Sequence, residues 1–432
     1  MMTFTAMPKY EAYKSSGVEW LGNVPSHWVI QKMKFLFTDT SIKNKADQTL
    51  LSVTQDQGVV PRDWVENRMV MPSGNLESFK YIQEGEFAIS LRSFEGGLEY
   101  CHHDGIISPA YTVLKKNRDD LVNSFYKYLF KSQTFISELQ TSIVGIREGK
   151  NISYEELRYS YLPIPKKSEQ TAIANFLDEK TAKIDEAITI KEKQIELLKE
   201  RKQIIIQQAV TQGLDPTVPM KDSGVEWIGK IPEHWIILPL TKYSTRVDYR
   251  GKTPEKVDEG IFLITTKNIK DGVINYAQSQ EFIKESQYKD IMSRGRPQYG
   301  DILFTMEAPL GASAIIDNEL VAIAQRIIKF RVNSKFLNSE FVNFFMQTSI
   351  FQNYLQRLGT GSTALGIKAS KLFLLRVTAP DITEQEQIIE HVKKNIKYTE
   401  SVVFELSNQI EKLKEYKTTL INSAVTGKIK VV

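Results

Sequence analysis

The chain has 432 residues, of which 41% are apolar and 25% charged, so fibrous, collagen-like and wholly disordered proteins are excluded. Lys and Arg number 56 against 52 Asp and Glu, and this net charge of +4 does not by itself identify a nucleic-acid partner. The length predicts two to four domains at about 100–200 residues each. The single cysteine, Cys101, excludes an intrachain disulfide and favours a reducing, cytoplasmic location. The N-terminal residues lack an apolar signal-peptide core, and no run of apolar residues reaches membrane-spanning length, so we expect neither secretion nor membrane insertion.

Two sequence blocks occur twice, which indicates an internal duplication. The opening motif is SGVEWLGNVPSHW at Ser16–Trp28 and SGVEWIGKIPEHW at Ser223–Trp235, with 9 of 13 positions identical. The closing segment QIELLKERKQIIIQQAVT at Gln194–Thr211 returns as QIEKLKEYKTTLINSAVT at Gln409–Thr426, with 11 of 18 positions identical. Between these blocks the residues 29–151 and 236–366 show little resemblance. Each half therefore consists of an opening motif, a variable domain and a helical segment.

Both variable domains have the pattern of an α+β fold. Short β-like runs occur at 85–93 (GEFAISLRS) and 299–307 (YGDILFTME), and helix-like runs occur at 121–130 and 339–355. The charges differ, because residues 29–165 contain 16 basic and 17 acidic residues, whereas residues 236–380 contain 19 and 13. The first domain is thus near neutral at −1, and the second is cationic at +6.

A long helix is predicted after each variable domain, because a proline-marked segment precedes each helical pattern. Ser168 is the expected N-cap of the first helix, and Thr383 with Glu386 has the spacing of a capping box in the second. Gly213 and Gly427 suit left-handed C-terminal caps. A helix over residues 168–210 is about 65 Å long at roughly 1.5 Å per residue.

Apolar residues in both helices recur every 11 residues, a spacing that allows two helices to pack with little supercoil. The residues expected to pack are Ile173, Ile184, Ile195, Ile206, Ile388, Ile410 and Ile421. The matched register favours an antiparallel pair of spacer helices over ordinary bundle helices within one core. A pseudo-twofold between the halves also predicts that the first opening motif lies beside the C-terminus.

Candidate DNA contacts are basic and amide side chains on loops, because these groups suit phosphates and base edges. In the first domain they are Lys43, Lys45, Gln55, Gln57, Arg62, Arg68, Arg92, Ser93, Arg147 and Lys150. In the second they are Arg246, Arg250, Lys252, Thr253, Lys267, Asn268, Arg294, Arg296, Ser362, Thr363 and Lys368. For each residue, a solvated surface position is an equally valid interpretation.

Catalytic patterns are incomplete in this sequence. The segment GKTP at Gly251–Pro254 lacks the earlier glycine of a phosphate loop, because Arg246 occupies that position. Cys101, His102 and His103 are adjacent and cannot by themselves surround one zinc ion, so we expect no metal site. His27 and His234 recur with the opening motif, which favours packing or a partner contact over catalysis. No Asn-Pro-Pro-aromatic segment of an amino-methyltransferase is present.

The duplicated Pro-x-His-Trp motifs, the unlike variable domains and the matched helices begun by SEQTAIANFLDEK and TEQEQIIEHV together resemble the specificity subunit of type I restriction-modification enzymes. The resemblance covers the whole chain. It implies an α+β fold in which two pseudo-symmetric target recognition domains are separated by a long antiparallel pair of α-helices. The expected divisions are 1–165 and 214–380 for the opening motifs with their recognition domains, and 166–213 and 381–432 for the spacer helices.

The resemblance further implies a non-catalytic subunit that reads a bipartite target in double-stranded DNA, and the unlike sequences of the two recognition domains predict that this target is asymmetric. It implies two methyltransferase subunits and ATP-dependent restriction subunits as partners, so that S-adenosylmethionine, ATP and magnesium belong to the partners and this chain holds no cofactor. Two alternatives stay open. One is a specificity subunit that serves a fused methyltransferase-nuclease, and the other is a coiled-coil adaptor that does not read DNA.

Overall fold

The computed structural model describes residues 7–65, 76–91, 93–144, 151–249, 251, 254–361 and 365–431. The chain forms two compact units. Unit 1 contains Met1–Glu192 and Ser407–Val432, and unit 2 contains Lys193–Leu406. Both boundaries fall within long helices, so each unit contains the start of one long helix and the end of the other.

Unit 1 is built from short antiparallel strands and four short helices, followed by the first long helix. Its strands are β1 (Tyr13–Ser15), β2 (Asn23–Pro25), β3 (Val29–Lys32), β4 (Phe37–Thr40), β5 (Leu51–Thr54), β6 (Gly58–Pro61), β7 (Lys80–Ile82), β8 (Phe87–Ile89), β9 (Glu99–Tyr100), β10 (Gly105–Ile107), β11 (Thr112–Lys116), β12 (Ile143–Val144), β13 (Asn151–Ile152) and β14 (Tyr161–Ile164). Its helices are α1 (Ser93–Gly96), α2 (Asn123–Leu129), α3 (Gln133–Leu139), α4 (Tyr154–Leu157) and the long α5 (Lys167–Gln212). Short 3-10 helices cover Met33–Phe35, Arg62–Trp64, Leu76–Ser78 and Gln140–Ser142.

Unit 2 has the same kinds of element and ends in the second long helix. Its strands are β15 (Met220–Asp222), β16 (Lys230–Pro232), β17 (Ile236–Pro239), β18 (Ser244–Asp248), β19 (Lys256–Val257), β20 (Ile261–Ile264), β21 (Ile269–Lys270), β22 (Val273–Ile274), β23 (Phe282–Ile283), β24 (Ile302–Thr305), β25 (Ser313–Ile315), β26 (Ala322–Ile323), β27 (Ile327–Val332) and β28 (Arg376–Ala379). Its helices are α6 (Glu285–Ile291), α7 (Ser339–Met346), α8 (Ser349–Leu358) and the long α9 (Ile382–Val425). Thr266–Asn268 and Ala369–Leu374 form 3-10 helices.

The two units share a strand order despite their unlike sequences. The four-stranded sheet of unit 1 has the order β4-β11-β8-β9, and one of the two four-stranded sheets described in unit 2 has the corresponding order β18-β27-β24-β25. The strand after each opening motif pairs with the strand before each long helix, as β3 with β14 and β17 with β28. The predicted β-like runs contain β8 and β24, and the predicted helix at 339–355 is divided into α7 and α8.

Each unit has a core that combines its sheet with parts of both long helices. In unit 1 the buried Trp28 and Phe125 pack with Leu177 from the start of α5 and Val425 from the end of α9. In unit 2 the equivalent core contains Trp235, Phe341, Val210 and Ile388, together with other buried apolar residues. Burial of these large side chains is the main favourable contribution to the stability of each unit.

The long helices run antiparallel within each unit. In unit 1, Lys191 Nζ donates to Gln409 Oε1 at 2.6 Å, and Lys417 Nζ lies 2.6 Å from Asp185 Oδ2. Of the residues predicted to pack, the buried ones are Ile173, Ile184, Ile206, Ile388 and Ile410, and the half-buried ones are Ile195 and Ile421. The predicted α+β fold class, with two related domains joined by an antiparallel pair of long helices, is confirmed. No helix among the described residues combines the length and apolar character needed to cross a membrane.

The predicted N-caps of the long helices are wrong. The Gln170 N–H already bonds to the carbonyl of Lys166, so α5 begins before Ser168. In α9, Asp381 Oδ1 accepts the Glu384 N–H at 2.9 Å, which leaves Thr383 inside the first turn. The C-terminal glycines do adopt the left-handed conformation, with φ values of +79° for Gly213 and +73° for Gly427.

Candidate nucleic-acid interface

The His-Trp pair of the first opening motif is bound to the start of α5. Glu169 accepts hydrogen bonds from Trp28 Nε1 at 3.0 Å and from Tyr10 OH at 2.6 Å, and His27 Nε2 lies 2.9 Å from its other oxygen. Burial alone would raise the pKa of Glu169, but the bonds from Tyr10, His27 and Trp28 together lower it below its usual range. The carboxylate is therefore a structural anchor, and the exposed His27 contributes to this junction through its contact with Glu169.

The neighbouring Gln170 connects α5 to the first variable domain. Its Nε2 donates to the carbonyls of Asp120 and Pro165, at 3.0 and 2.8 Å, and its Oε1 accepts the Val122 N–H at 2.8 Å. The side chain is fully buried, so these bonds satisfy polar groups that have no access to water. Gln170 thereby fixes the segment that leads into α2.

The second opening motif has the same arrangement. Glu384 accepts from Trp235 Nε1 at 3.1 Å, and His234 Nε2 lies 2.8 Å from its other oxygen. Gln385 Nε2 donates to the carbonyls of Phe336 and Pro380, both at 2.9 Å. The Glu-Gln pair at each helix start thus joins the opening motif and the variable domain in the same way in both units.

The end of the opposite long helix completes each of these junctions. In unit 1, Lys428 Nζ donates to the carbonyls of Leu21 and Asn23, and a side chain at Gly427 would lie 2.3 Å from Pro25 Cδ. In unit 2, a side chain at Gly213 would lie 3.4 Å from the Trp235 ring. The first opening motif therefore lies beside the C-terminal end of α9, as predicted.

The candidate contacts of the first domain lie in several loops. Lys43 and Lys45 are exposed after β4, Gln55 and Gln57 are exposed at the turn between β5 and β6, and Arg62 is half-buried. The remaining candidates Arg68, Arg92, Arg147 and Lys150 lie outside the described residues.

Ser93 does not belong among the exposed contacts. Its side chain is fully buried, and its Oγ accepts the Ser90 N–H at 2.8 Å. It has a structural role at the start of α1.

The candidates of the second domain form two exposed groups. Arg246 and Arg294 line a shallow surface depression with Asp248, whose carbonyl accepts a bond from Arg294 Nη1 at 2.8 Å. Lys267 lines a separate cleft with Lys270. Arg296 and Lys368 are also exposed, and Arg296 lies 5.9 Å from the centre of the Tyr288 ring. The candidates Arg250, Lys252, Thr253, Ser362 and Thr363 lie outside the described residues.

Asn268 is a structural residue rather than a DNA contact. It is fully buried, and its Oδ1 accepts from the Thr265 N–H at 2.8 Å while its Nδ2 donates to the carbonyl of Asn275 at 3.1 Å. The amide caps a 3-10 helix, so a residue type that suits adenine is used within the fold.

An exposed aromatic pair in the first domain was not predicted. Trp64 is 59% exposed, and its ring centre lies 4.9 Å from that of His103 in an edge-to-face arrangement. Large exposed aromatic rings are a common feature of binding surfaces. The position of Trp64 two residues after Arg62 was the available sequence signal.

The two variable domains also share a four-residue turn that was not predicted from the sequence. Gln83 to Glu86 and Gln298 to Asp301 both read Gln-x-Gly-acid, and both glycines have positive φ, at +87° and +81°. In each turn the carboxylate accepts the glutamine N–H, at 2.9 and 2.8 Å. The turn precedes β8 in unit 1 and β24 in unit 2, so the variable domains share it at equivalent places.

Cys101 is not arranged as a metal ligand or nucleophile. Burial raises the pKa of its thiol to about 12, and Sγ donates to the carbonyl of His103 at 3.1 Å. Within the described part of the chain, no group of three or more His, Cys, Asp or Glu side chains has the geometry to hold a metal ion.

Comparison with known proteins shows which family the chain resembles. Residues 253–412 match the family model of the type I restriction modification DNA specificity domain. The chain is 23% identical to the type I restriction enzyme MjaVIII specificity subunit of Methanocaldococcus jannaschii, over 81% of this chain and 80% of that protein. It is 21% identical to the EcoBI specificity subunit of Escherichia coli, over 83% of this chain and 76% of that protein.

Solved structures share the fold. The HsdS subunit from Thermoanaerobacter tengcongensis matches 94% of this chain and 98% of its own at a TM-score of 0.56 and 13% identity. A chain from a structural study of complex assembly and conformational transition in the type I R-M system matches 93% and 98% at a TM-score of 0.71 and 13% identity. The chain is therefore similar over most of its length to type I restriction enzyme specificity subunits, and its residues 253–412 match their DNA specificity domain.

Proposed function

We propose that the chain reads a bipartite, asymmetric target in double-stranded DNA, with one recognition domain for each half. The observation that supports this proposal is the shared strand order of two domains whose exposed loops and charges differ. A common scaffold with unlike loops suits the recognition of two unlike base sequences, because base edges are read by loop and groove-facing side chains. The divisions 1–165, 166–213, 214–380 and 381–432 remain part of this proposal.

The reading residues are expected among the exposed candidates. Arg246 and Arg294 lie together in unit 2, where a guanidinium suits a phosphate or a guanine edge. In unit 1 the exposed Gln55 and Gln57 suit adenine, and Lys43 suits phosphates. Because the first domain is near neutral, cationic methyltransferase partners would supply much of its phosphate contact.

Two methyltransferase subunits would dock on the chain, and restriction subunits would join through the complex. The partners would bind S-adenosylmethionine, ATP and magnesium, which leaves DNA reading to this subunit. The two matched junctions of opening motif, Glu-Gln pair and helix end offer two equivalent frames for two copies of one partner. We place this assembly in the cytoplasm, where the host DNA lies.

Sequencing the methylated adenines in DNA from cells with the complete system tests the proposal. We expect two unlike half-sites at a fixed spacing, and a palindromic site would contradict the asymmetry. Substitution of Arg246 by Ala should relax the sequence requirement in one half-site only. Unchanged methylation in that variant would remove Arg246 from the reading residues.

The identity of the partner separates the alternatives. Co-purification of separate methyltransferase and restriction subunits is expected. Recovery of one fused methyltransferase-nuclease would favour the related assembly. A coiled-coil adaptor would form the complex without any effect of its variable domains on the methylated sequence.

A further inference from the structure

A buried ion pair holds one candidate reading loop in unit 1. Glu99 is fully buried, and Lys131 Nζ lies 2.6 Å from its carboxylate. The same Nζ donates to the carbonyl of Gln55 at 3.0 Å. Gln55 is exposed at the tip of the hairpin formed by β5 and β6. The lysine therefore links a buried internal carboxyl group to the backbone of an exposed candidate residue.

Other contacts leave this hairpin tip little freedom. Thr54 Oγ1 accepts the Gln57 N–H at 3.1 Å and donates to the Gly58 carbonyl at 3.0 Å. A Cβ atom at Gly96 would lie 3.1 Å from Gln55 Nε2, so the glutamine side chain lies directly over the backbone of α1. The position of the Gln55 amide is thus set from two directions.

Unit 2 has a corresponding device made from different elements. Asp301 is 1% exposed and accepts from Lys329 Nζ at 2.9 Å and from Arg331 Nε at 2.7 Å. Lys329 Nζ also donates to the carbonyl of Arg296 at 2.9 Å. Arg296 is exposed on the loop that contains Arg294. A buried carboxylate and a lysine again fix the backbone of a candidate reading residue.

The two carboxylates differ in how fully they are compensated. Burial raises the pKa of Glu99 to about 7, although Lys131 opposes the shift. Burial would also raise the pKa of Asp301, but the bonds from Arg331 and Lys329 outweigh it and lower the pKa. Buried ion pairs commonly add little net stability compared with apolar packing, so stability alone does not account for them. Their common feature is the second bond from the lysine to a loop carbonyl.

We propose that Lys131 and Lys329, held by Glu99 and Asp301, are positioning residues that set the specificity of the first and second half-sites without contacting DNA. This inference rests on the proposed function of the two domains as DNA readers. We infer the absence of direct contact from the burial of both carboxylates and of Lys329, and from the two internal contacts that hold the half-buried Lys131.

The test uses the full chain in complex with its methyltransferase partner, and DNA duplexes altered in one half-site at a time. Lys131→Met and Lys329→Met are parallel variants, because each keeps an unbranched apolar stem and removes both contacts of the lysine Nζ. In Lys329→Met the Asp301 carboxylate stays paired with Arg331. Glu99→Gln is a second variant for unit 1, since it keeps the side-chain shape and removes only the charge that holds Lys131.

Discrimination is measured as the affinity for the cognate duplex divided by that for each altered duplex. Lys131→Met should lower discrimination at the first half-site by about tenfold and leave that at the second unchanged. Lys329→Met should lower discrimination at the second half-site by about tenfold and leave that at the first unchanged. A tenfold loss lies within the range of one good base contact. Glu99→Gln should lower the same ratio as Lys131→Met. The dependence of affinity on salt should not change, because no phosphate contact is removed.

The outcomes distinguish this inference from the function on which it rests. Three results would each contradict the positioning role: equal loss of discrimination at both half-sites, unchanged discrimination in both unit 1 variants, or a salt slope reduced by about one. The last result would indicate that the lysine contacts a phosphate directly. If Lys131→Met does not fold, Glu99→Gln decides for unit 1. A wild-type complex that discriminates at neither half-site would instead refute the proposed function itself.

Discussion

The junction of the first opening motif with α5 should be more stabilising than its counterpart in unit 2, and replacing the two glutamates by alanine tests this. Glu169 receives three donors, from Tyr10, His27 and Trp28. Glu384 receives two, from His234 and Trp235. The side chain of Glu169 is 10% exposed, compared with 24% for Glu384. The structure therefore predicts different costs for the same substitution in the two repeats.

The magnitude follows from the groups left without a partner. Trp28 and Trp235 are both fully buried, and loss of the acceptor for a buried indole N–H costs about 1–3 kcal/mol. Tyr10 and His27 can turn partly to water, so each adds about 0.5–1 kcal/mol in unit 1. With His234 counted in the same way in unit 2, we expect Glu169→Ala to cost about 3–4 kcal/mol of unfolding free energy and Glu384→Ala about 2.5–3 kcal/mol.

Hydrogen exchange in the intact chain, followed by mass spectrometry, resolves the two units. Glu169→Ala should increase exchange in the first opening motif and the start of α5, and Glu384→Ala should act on the second motif and the start of α9. Glu169→Gln is the control, because its carbonyl oxygen can still accept from Trp28 and should retain about half of the stability. An equal or larger effect of Glu384→Ala would refute the reasoning.

The effect of pH provides an independent check on Glu169. The pKa of the folded carboxyl lies below its ordinary value, so its contribution to stability is present above the unfolded pKa and is lost as pH falls. The difference in stability between the wild type and Glu169→Ala should therefore decrease in acid. A difference that stays constant down to the acid limit of the folded state would contradict the role of the charge.

Three further predictions concern other parts of the chain. Because the pKa of Glu99 is raised to about 7, the folded chain keeps a proton that the unfolded chain has already released between the ordinary glutamate pKa and pH 7. The free energy of unfolding should therefore fall by up to about 3 kcal/mol as pH rises through this window. Glu99→Gln should remove this pH dependence, as measured by urea unfolding. Gly427→Ala should lower the stability by about 2–3 kcal/mol, because the added Cβ would lie 2.3 Å from Pro25. Gly213→Ala should lower it by about 1 kcal/mol, since the nearest atom to its Cβ is 3.4 Å away. Thermal unfolding of the two variants compares these losses. Joining the termini and reopening the chain near Asp215 should leave the fold and DNA binding intact, and failure of this permutant to fold would count against the circular order of the repeats.

The repeated parts of the fold could be predicted from sequence because the same physical constraints act twice. The duplicated tryptophans, the proline boundaries and the glycines at 213 and 427 predicted both the long helices and the place of the first opening motif beside the C-terminal end of α9. The partner of the tryptophans was not predicted, although Glu169 and Glu384 recur with them. A hydrogen bond across about 140 residues leaves no local signal in one sequence.

The candidate reading residues were predicted less well, because exposure depends on tertiary packing rather than on residue type. Ser93 and Asn268 have suitable side chains for DNA but satisfy buried backbone groups. Short polar side chains often bond to nearby backbone in this way, and a loop sequence does not reveal which choice is made. The shared Gln-x-Gly-acid turn was missed for another reason, since four residues are too few to stand out between otherwise unlike domains.

The division between constant and variable residues indicates how specificity can change without loss of the fold. The constant bonds join each opening motif to the start of a long helix through Glu169 and Glu384, whose histidine and tryptophan partners lie in the opening motifs. One four-stranded sheet in each domain keeps the same strand order, while residues 29–165 carry a net charge of −1 and residues 236–380 one of +6. Under the proposed function, substitutions in the exposed loops should alter what is read at little cost to the junctions. Substitutions at Lys131 or Lys329 should alter reading in a different way, because they would change where the loop lies rather than what it presents.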